Sequence, residues 1–215
     1  MPSSRLPMPQ RRRHLAAGVG LAAAWLAWPA LASSRRVLPA MTEGPFYPVR
    51  RPLDDDADLT RVSGQAAVAQ GEWLDVHGVV VDANGRLIDG AAVEIWQCDV
   101  HGSYRHPRGV GPRVDEGFQG FGATVSDAQG AFRFRSIRPV VYPGRAPHIH
   151  LKVLHPSFGE RVSQWFVAGD EGNERDFLFR RLSAADRAEV EMRLQPAPAG
   201  APVRWLTRRD IVVPA

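Results

Sequence analysis

His148-Ile149-His150 places two imidazoles at positions i and i+2. On a β-strand such residues project from one face about 6.5–7 Å apart, so both rings can reach a single metal ion while Ile149 packs on the other side. Lys152 continues the same spacing, and the three residues equally fit the polar face of an amphipathic strand that holds no metal. The chain has three tyrosines, Tyr47, Tyr104 and Tyr142, each in a Gly/Pro-rich segment rather than in a strand, where a core tyrosine is expected. Tyr142 also fits a corner tyrosine bonding to backbone, and Tyr104 a cap on the strand before its loop. The single cysteine, Cys98, excludes an internal disulfide and any Cys-built zinc or iron–sulfur centre, and reads as a small core hydrophobe. The sequence contains no Walker or dinucleotide-binding glycine loop and no Gly-x-Ser-x-Gly nucleophile, which leaves a metal-free hydrolase or lyase with His148 or His150 as base poorly supported.

The elements that must position these groups are short β-branched runs divided by turns. Val76 to Val81, the Asp82-Ala83-Asn84-Gly85 turn and Ala91 to Gln97 come first, followed by a long loop from about Asp99 to Gly120. After the Asp127-Ala128-Gln129-Gly130 turn, Phe132 and Phe134 alternate with Arg133 and Arg135, the pattern of a half-buried antiparallel strand. His148 to Leu154 and Arg161 to Val167 continue the series. A helix is expected from Ser183, with Asp186 as a partial capping box and Ala185, Ala188 and Met192 as its packing face. Pro196 to Pro202 reads as a linker into a last strand from Val203 to Val213. The expected fold is all-β, an antiparallel β-sandwich with long loops and one short C-terminal helix over residues 71–215. Residues 33–70 read as an ordered strap, because Thr42-Glu43-Gly44-Pro45-Phe46-Tyr47-Pro48 is too apolar and Pro-rich for a solvated tail.

The chain has 215 residues, 44% hydrophobic and 23% charged, in the range of one globular domain. Its net charge of +4 invites a nucleic-acid reading until the charge is placed. Arg5, Arg11, Arg12 and Arg13 precede an uncharged run from Leu15 to Ala32, ending in Ala30-Leu31-Ala32. This is the layout of a cleavable export signal over residues 1–32, and Arg11-Arg12 before His14-Leu15 is similar to a twin-arginine signal. The expected destination is the periplasm, with no stable membrane anchor after cleavage. These four arginines account for the whole charge excess, so the remainder is balanced and no nucleic-acid partner is expected.

Gly78-Val79-Val80-Val81-Asp82, Ala92 to Gln97, Gly102-Ser103-Tyr104, Asp127 to Phe132, and Tyr142-Pro143 ahead of Arg145-Ala146-Pro147-His148-Ile149-His150 together resemble the intradiol ring-cleavage dioxygenases, the family of protocatechuate 3,4-dioxygenase. Thr42-Glu43-Gly44-Pro45 and Gln164-Trp165-Phe166 with Gly169-Asp170 extend the likeness over residues 42–178. The resemblance implies a prealbumin-like sandwich and a non-haem Fe(III) held by Tyr104, Tyr142, His148 and His150. It implies that Tyr142 leaves the metal and accepts a substrate proton, that Arg145 steadies negative charge on the substrate, and that Gln164 supports Arg145 from behind. Pro45 and Tyr47 are expected in the substrate pocket. The substrates implied are O2 and a catechol-type aromatic such as protocatechuate or catechol, opened to a cis,cis-muconate-type diacid; a homo-oligomer stays open.

The residue types agree with that ion. Free tyrosine has a pKa near 10, so a strongly Lewis-acidic cation is needed to hold two phenolates at neutral pH, and hard anionic oxygens in turn favour the ferric state. Two features depart from the family pattern. Five residues separate Tyr142 from His148, a short loop, and Gly144 stands where an aromatic is common; both are expected to open that side of the pocket. A competing reading is a metal-free prealbumin-like module that binds carbohydrate or protein. The strand motifs satisfy it, whereas Tyr142, Arg145, His148 and His150 together do not need to exist in such a module. His101, His106 and His155 are expected at the surface or in loops.

Overall fold

Period-two alternation produces ten strands in the computed structural model, which describes residues 35–109 and 111–215. The expected export signal lies outside the described residues. The strands are β1 (Trp73–Asp82), β2 (Ala92–Trp96), β3 (Phe121–Val125), β4 (Ala131–Ile137), β5 (His148–His155), β6 (Gly159–Val167), β7 (Glu191–Met192), β8 (Gln195–Pro196), β9 (Trp205–Arg208) and β10 (Ile211–Val213). They form two five-stranded sheets, one of β3-β2-β5-β6-β7 and one built around β1. In the second, β4 runs antiparallel along one edge of β1, while β9 and β10 run parallel to its other edge in succession. β8 completes that sheet beside β9. The all-β sandwich is therefore present, with parallel pairs at its margins.

The single last strand expected from Val203 to Val213 is instead split into β9 and β10. Asp210 explains the break: its Oδ1 accepts the Val79 amide at 3.3 Å where a ladder carbonyl would otherwise stand. The helix, α1 (Ala184–Val190), has the expected cap, with the Asp186 amide donating to Ser183 Oγ at 3.1 Å. Its packing face differs from expectation. Ala185 and Ala188 are exposed, Val190 is buried, and Met192 belongs to β7, because the chain leaves the helix to pair with β6 through Phe166↔Glu191.

Register decides what each face of the site-bearing sheet carries. Ile95, Leu151 and Ser163 lie side by side across β2, β5 and β6, and the neighbouring row is Trp96, His150 and Gln164. Ile149, Leu151, Val153, Val93, Ile95 and Trp165 enter the core, against Leu74, Val76 and Val80 of β1 and Phe132 and Phe134 of β4. His148, His150, Lys152, Trp96 and Glu94 occupy the other face. That face is not a solvated strand surface: His148, His150 and Lys152 are all buried, so the amphipathic-strand alternative does not hold. A second apolar cluster of Trp96, Cys98, Tyr104 and Phe121, with Phe46, Tyr47 and Tyr142 packed against it, covers it.

Trp165 is fully buried and stacks on Phe132 across the sandwich, with ring centroids 6.3 Å apart. Trp165→Ala is expected to cost about 3–5 kcal/mol through lost burial and the cavity left behind. Urea unfolding followed by circular dichroism checks this, and a loss below about 1 kcal/mol would show that the core closes around the gap.

Candidate metal centre

The four predicted ligand residues are placed by three local devices. His148 and His150 come from β5, where period two puts both rings on the covered face, with Nε2 atoms 3.1 Å apart. His148 Nδ1 donates to the Ala146 carbonyl at 2.6 Å, which fixes the tautomer and leaves the Nε2 lone pair free to face inward. His150 stacks flat on Trp96, its neighbour in register, with centroids 4.9 Å apart and planes 11° from parallel.

Tyr104 sits in the long loop after β2, and the buried Asp99 shapes that loop by accepting the amides of His101, Ser103 and Asp115. Tyr142 begins a tight turn, Tyr142-Pro143-Gly144-Arg145, closed by the Arg145 amide donating to the Tyr142 carbonyl at 3.0 Å. Proline followed by glycine is the type II pattern, and Gly144 has the positive φ of 81° that this position requires. The turn explains the short connection and brings the side chains at its two ends together: Arg145 Nη1 donates to Tyr142 Oη at 3.0 Å and lies 3.4 Å from His148 Nε2.

The four rings converge. Centroid separations are 4.7 Å for His148 and His150, 5.5 Å for Tyr142 and His148, 5.3 Å for Tyr104 and Tyr142, and 6.0 Å for Tyr104 and His150. Burial, then the adjacent Arg145, pushes His148 down to about 3. Burial, then His148 and Arg145, holds His150 well below its usual range, so both imidazoles are neutral donors. Burial raises Tyr104 well above 10, and the Tyr142 phenol beside it adds to the shift. Burial raises Tyr142 too, against the opposing pull of Arg145. Tyr104 Oη and His150 Nδ1 are buried with no hydrogen-bond partner among the described residues. An orphaned buried hydroxyl costs free energy, and two imidazole nitrogens aimed at each other gain little; both become favourable when a cation stands among them. Two neutral nitrogens and two phenol oxygens fit a hard, strongly Lewis-acidic ion, and fit Fe(III) in particular.

Arg145 is held on every side. Nη2 donates to Gln164 Oε1 at 2.6 Å, and Nε donates to Asp176 Oδ2 at 2.8 Å. Asp176, which the sequence reading missed, is buried and also accepts the amides of Ala146, Leu178 and Phe179. Burial opposes its ionisation, but those amides and Arg145 outweigh burial and hold its pKa below the usual carboxylate range. Only the turn around Asn173–Arg175, with no periodic pattern, marked its place.

Two cavities flank the ring cluster. One of about 460 Å³ is lined by Phe46, Pro48, Trp96, Tyr104 and Phe121, among others, and the other, of about 520 Å³, by Tyr142, Gly144, Arg145 and Arg175. Phe46 and Pro48 line the first, as do Pro52, Leu53, Asp54, Val62 and Ser63 further along the strap; Pro45 and Tyr47, expected in the substrate pocket, are not among its lining residues. Phe46 stacks on Tyr104 at 4.5 Å, whereas Tyr47 turns away and donates to Glu94 at 2.7 Å. Gly144 has open space around it, as the missing aromatic implied. His106 lies in the loop, one of the two placements expected for it, but is buried there, with Phe46 packed edge-on against its ring at 5.9 Å. Cys98 is buried and its thiol is pushed up to about 12, chiefly by burial, as suits an inert core residue.

A family model described as Dioxygenase matches residues 42–196. The chain is 34% identical over 142 residues to the protocatechuate 3,4-dioxygenase beta chain of Burkholderia cepacia, covering 61% of this chain and 60% of that one. It is 31% identical over 194 residues to hydroxyquinol 1,2-dioxygenase of Corynebacterium glutamicum, covering 79% and 61%. The chain thus spans about three fifths of the length of these relatives. Among solved structures, the dioxygenase domain of a carbohydrate-binding fusion from Streptomyces sp. SirexAA-E superposes with a TM-score of 0.65 at 26% identity, covering 84% of this chain and 99% of that one.

Proposed function

Since the chain belongs to this dioxygenase family, we propose that it binds Fe(III) through Tyr104, Tyr142, His148 and His150 and cleaves a catechol-type aromatic between its two hydroxyl-bearing carbons. Both atoms of O2 enter the product, a cis,cis-muconate-type diacid, so no external reductant is consumed. The observation that carries this reading is the convergence of two neutral imidazoles with two phenols, one of them without a hydrogen-bond partner among the described residues. The export route read from Arg11-Arg12 and the apolar run to Ala32 is part of the proposal.

When bound, the ferric ion supplies Lewis acidity that draws electron density from the catechol and makes its ring attackable by O2. The protein does the rest. Tyr142, which lines the cavity that Gly144 leaves open, would be a phenolate while it holds the ion, and in that state its Oη can accept a proton from the incoming catechol. The Arg145 Nη1 donor beside it sits where negative charge develops on the substrate, an oxyanion-hole role that needs no rearrangement because Gln164 and Asp176 already fix the guanidinium. Trp96 stacks on His150 and Phe46 on Tyr104, so the two rings hold both side chains in place beside the first cavity.

Aerobic loading with ferric iron is expected to colour the protein through a tyrosinate charge-transfer band, and catechol or protocatechuate to shift that band and yield an absorbing diene diacid. A protein that stays colourless after loading would overturn the assignment.

A further inference from the structure

Thr42, Glu43 and Gly44 are consecutive strap residues, and each touches a different residue of the β5–β6 ladder. The Thr42 carbonyl accepts Gln164 Nε2 at 3.0 Å. Gly44 lies against His150 so closely that a Cβ there would stand 3.2 Å from Cε1, and its φ of 79° also favours glycine. The Glu43 carboxylate forms an ion pair with Lys152 Nζ. Lys152 is the only lysine of the chain and lies on the face that carries His148 and His150. Its side chain is 9% exposed, and its ammonium stands 3.7 Å from the centre of the Tyr47 ring, which belongs to the same strap.

Backbone pairing does not explain how the strap is held. Met41 donates its amide to the Val162 carbonyl and the Asp55 carbonyl accepts the Ala123 amide, but between these residues the strap makes no backbone–backbone hydrogen bond to the sandwich among the described residues. Side chains hold it instead. Tyr47 Oη reaches Glu94, Arg51 Nη1 lies 3.2 Å from the same carboxylate, and Lys152 takes Glu43 and the Tyr47 ring. Glu94 and Lys152 are partners in register on β2 and β5, so one cross-strand pair of buried charges receives the strap from both sides. An ammonium this poorly solvated binds an aromatic face and a carboxylate more strongly than a surface lysine does.

We propose that Lys152 and Glu43 are positioning residues: their ion pair, with the Tyr47 ring against the ammonium, latches the strap onto β5 and so sets Gly44 over His150 and the Thr42 carbonyl against Gln164. Gln164 in turn orients Arg145. The link to turnover rests on the reading of the site given above; the latch itself does not.

The test uses the full chain with Lys152→Met, Glu43→Gln, the double variant and Lys152→Arg. Methionine keeps the apolar stem, and the freed Glu43, already 39% exposed, finds water, so folding is retained. In metal-free protein, exchange of the Met41 amide, which the strap donates to Val162, is expected to quicken about tenfold in each of the first two variants, with the double no faster than Lys152→Met alone, as coupling requires. Unchanged exchange, or additive effects in the double, would overturn the latch. In iron-loaded protein, kcat is expected to fall about tenfold with KM changed much less, the size typical of losing an outer support, and Lys152→Arg to restore it. A kcat that stays at the wild-type value in variants with a loosened strap would overturn the positioning role. Wild-type protein that takes up no iron would defeat the catalytic reading alone, because the exchange arm needs no metal.

Discussion

Arg145→Ala is expected to lower turnover about 100- to 1000-fold while the protein still takes up iron and colours. The size follows from the loss of one preorganised donor aimed at developing negative charge. The specificity follows from geometry. Arg145 contacts Tyr142 Oη but its own atoms complete no part of the ligand set, and the turn that places Tyr142 is closed by the backbone of residue 145, which alanine retains. The cost to folding is limited as well, since Asp176 keeps the amides of Ala146, Leu178 and Phe179 when the guanidinium is gone. Oxygen uptake with catechol, measured beside the visible spectrum of the same sample, separates the two effects. Wild-type turnover in this variant would show that the reaction does not use the cation; a colourless variant would show that Arg145 is needed to assemble the ligands.

How much of this was legible in the sequence depends on how local its cause is. Strand parity is local, so His148 and His150 on one face and Ile149 in the core could be read directly from spacing. Tyr104 and Tyr142 are brought to that face by a long loop and a Pro-Gly turn, whose paths no periodicity encodes; the family motifs marked them. Asp176 lies further still along the chain and acts through an irregular segment, so no pattern pointed to it. The strap shows the same limit at finer grain. Its being ordered was readable from composition, but which of Pro45, Phe46 and Tyr47 faces a cavity is set by Glu94 and Lys152 on two distant strands. Asp210 shows the converse, where a local prediction of one continuous last strand fails because its side chain takes the Val79 amide of β1.

Tyr104→Phe is expected to weaken iron binding by at least about 100-fold and abolish the charge-transfer colour, while leaving the metal-free protein no less stable than the wild type. Outer-shell partners of metal ligands are typically worth 10- to 100-fold in affinity, and a ligand atom more. The stability half of the prediction discriminates between roles. Tyr104 Oη is buried with no hydrogen-bond partner among the described residues, so in the absence of metal it adds desolvation cost without return, and removing it is expected to contribute up to about 1–3 kcal/mol. The ring itself, stacked on Phe46, is preserved by phenylalanine. His150→Ala is expected to lose iron equally but to destabilise the apoprotein, because it empties the space against Trp96 and Gly44. Iron content after gel filtration and thermal unfolding without metal read both quantities. Stoichiometric iron and unchanged colour in Tyr104→Phe would remove that phenol from the ligand set. A fall in apoprotein stability would mean that the hydroxyl has a structural partner of its own and is not left waiting for a cation.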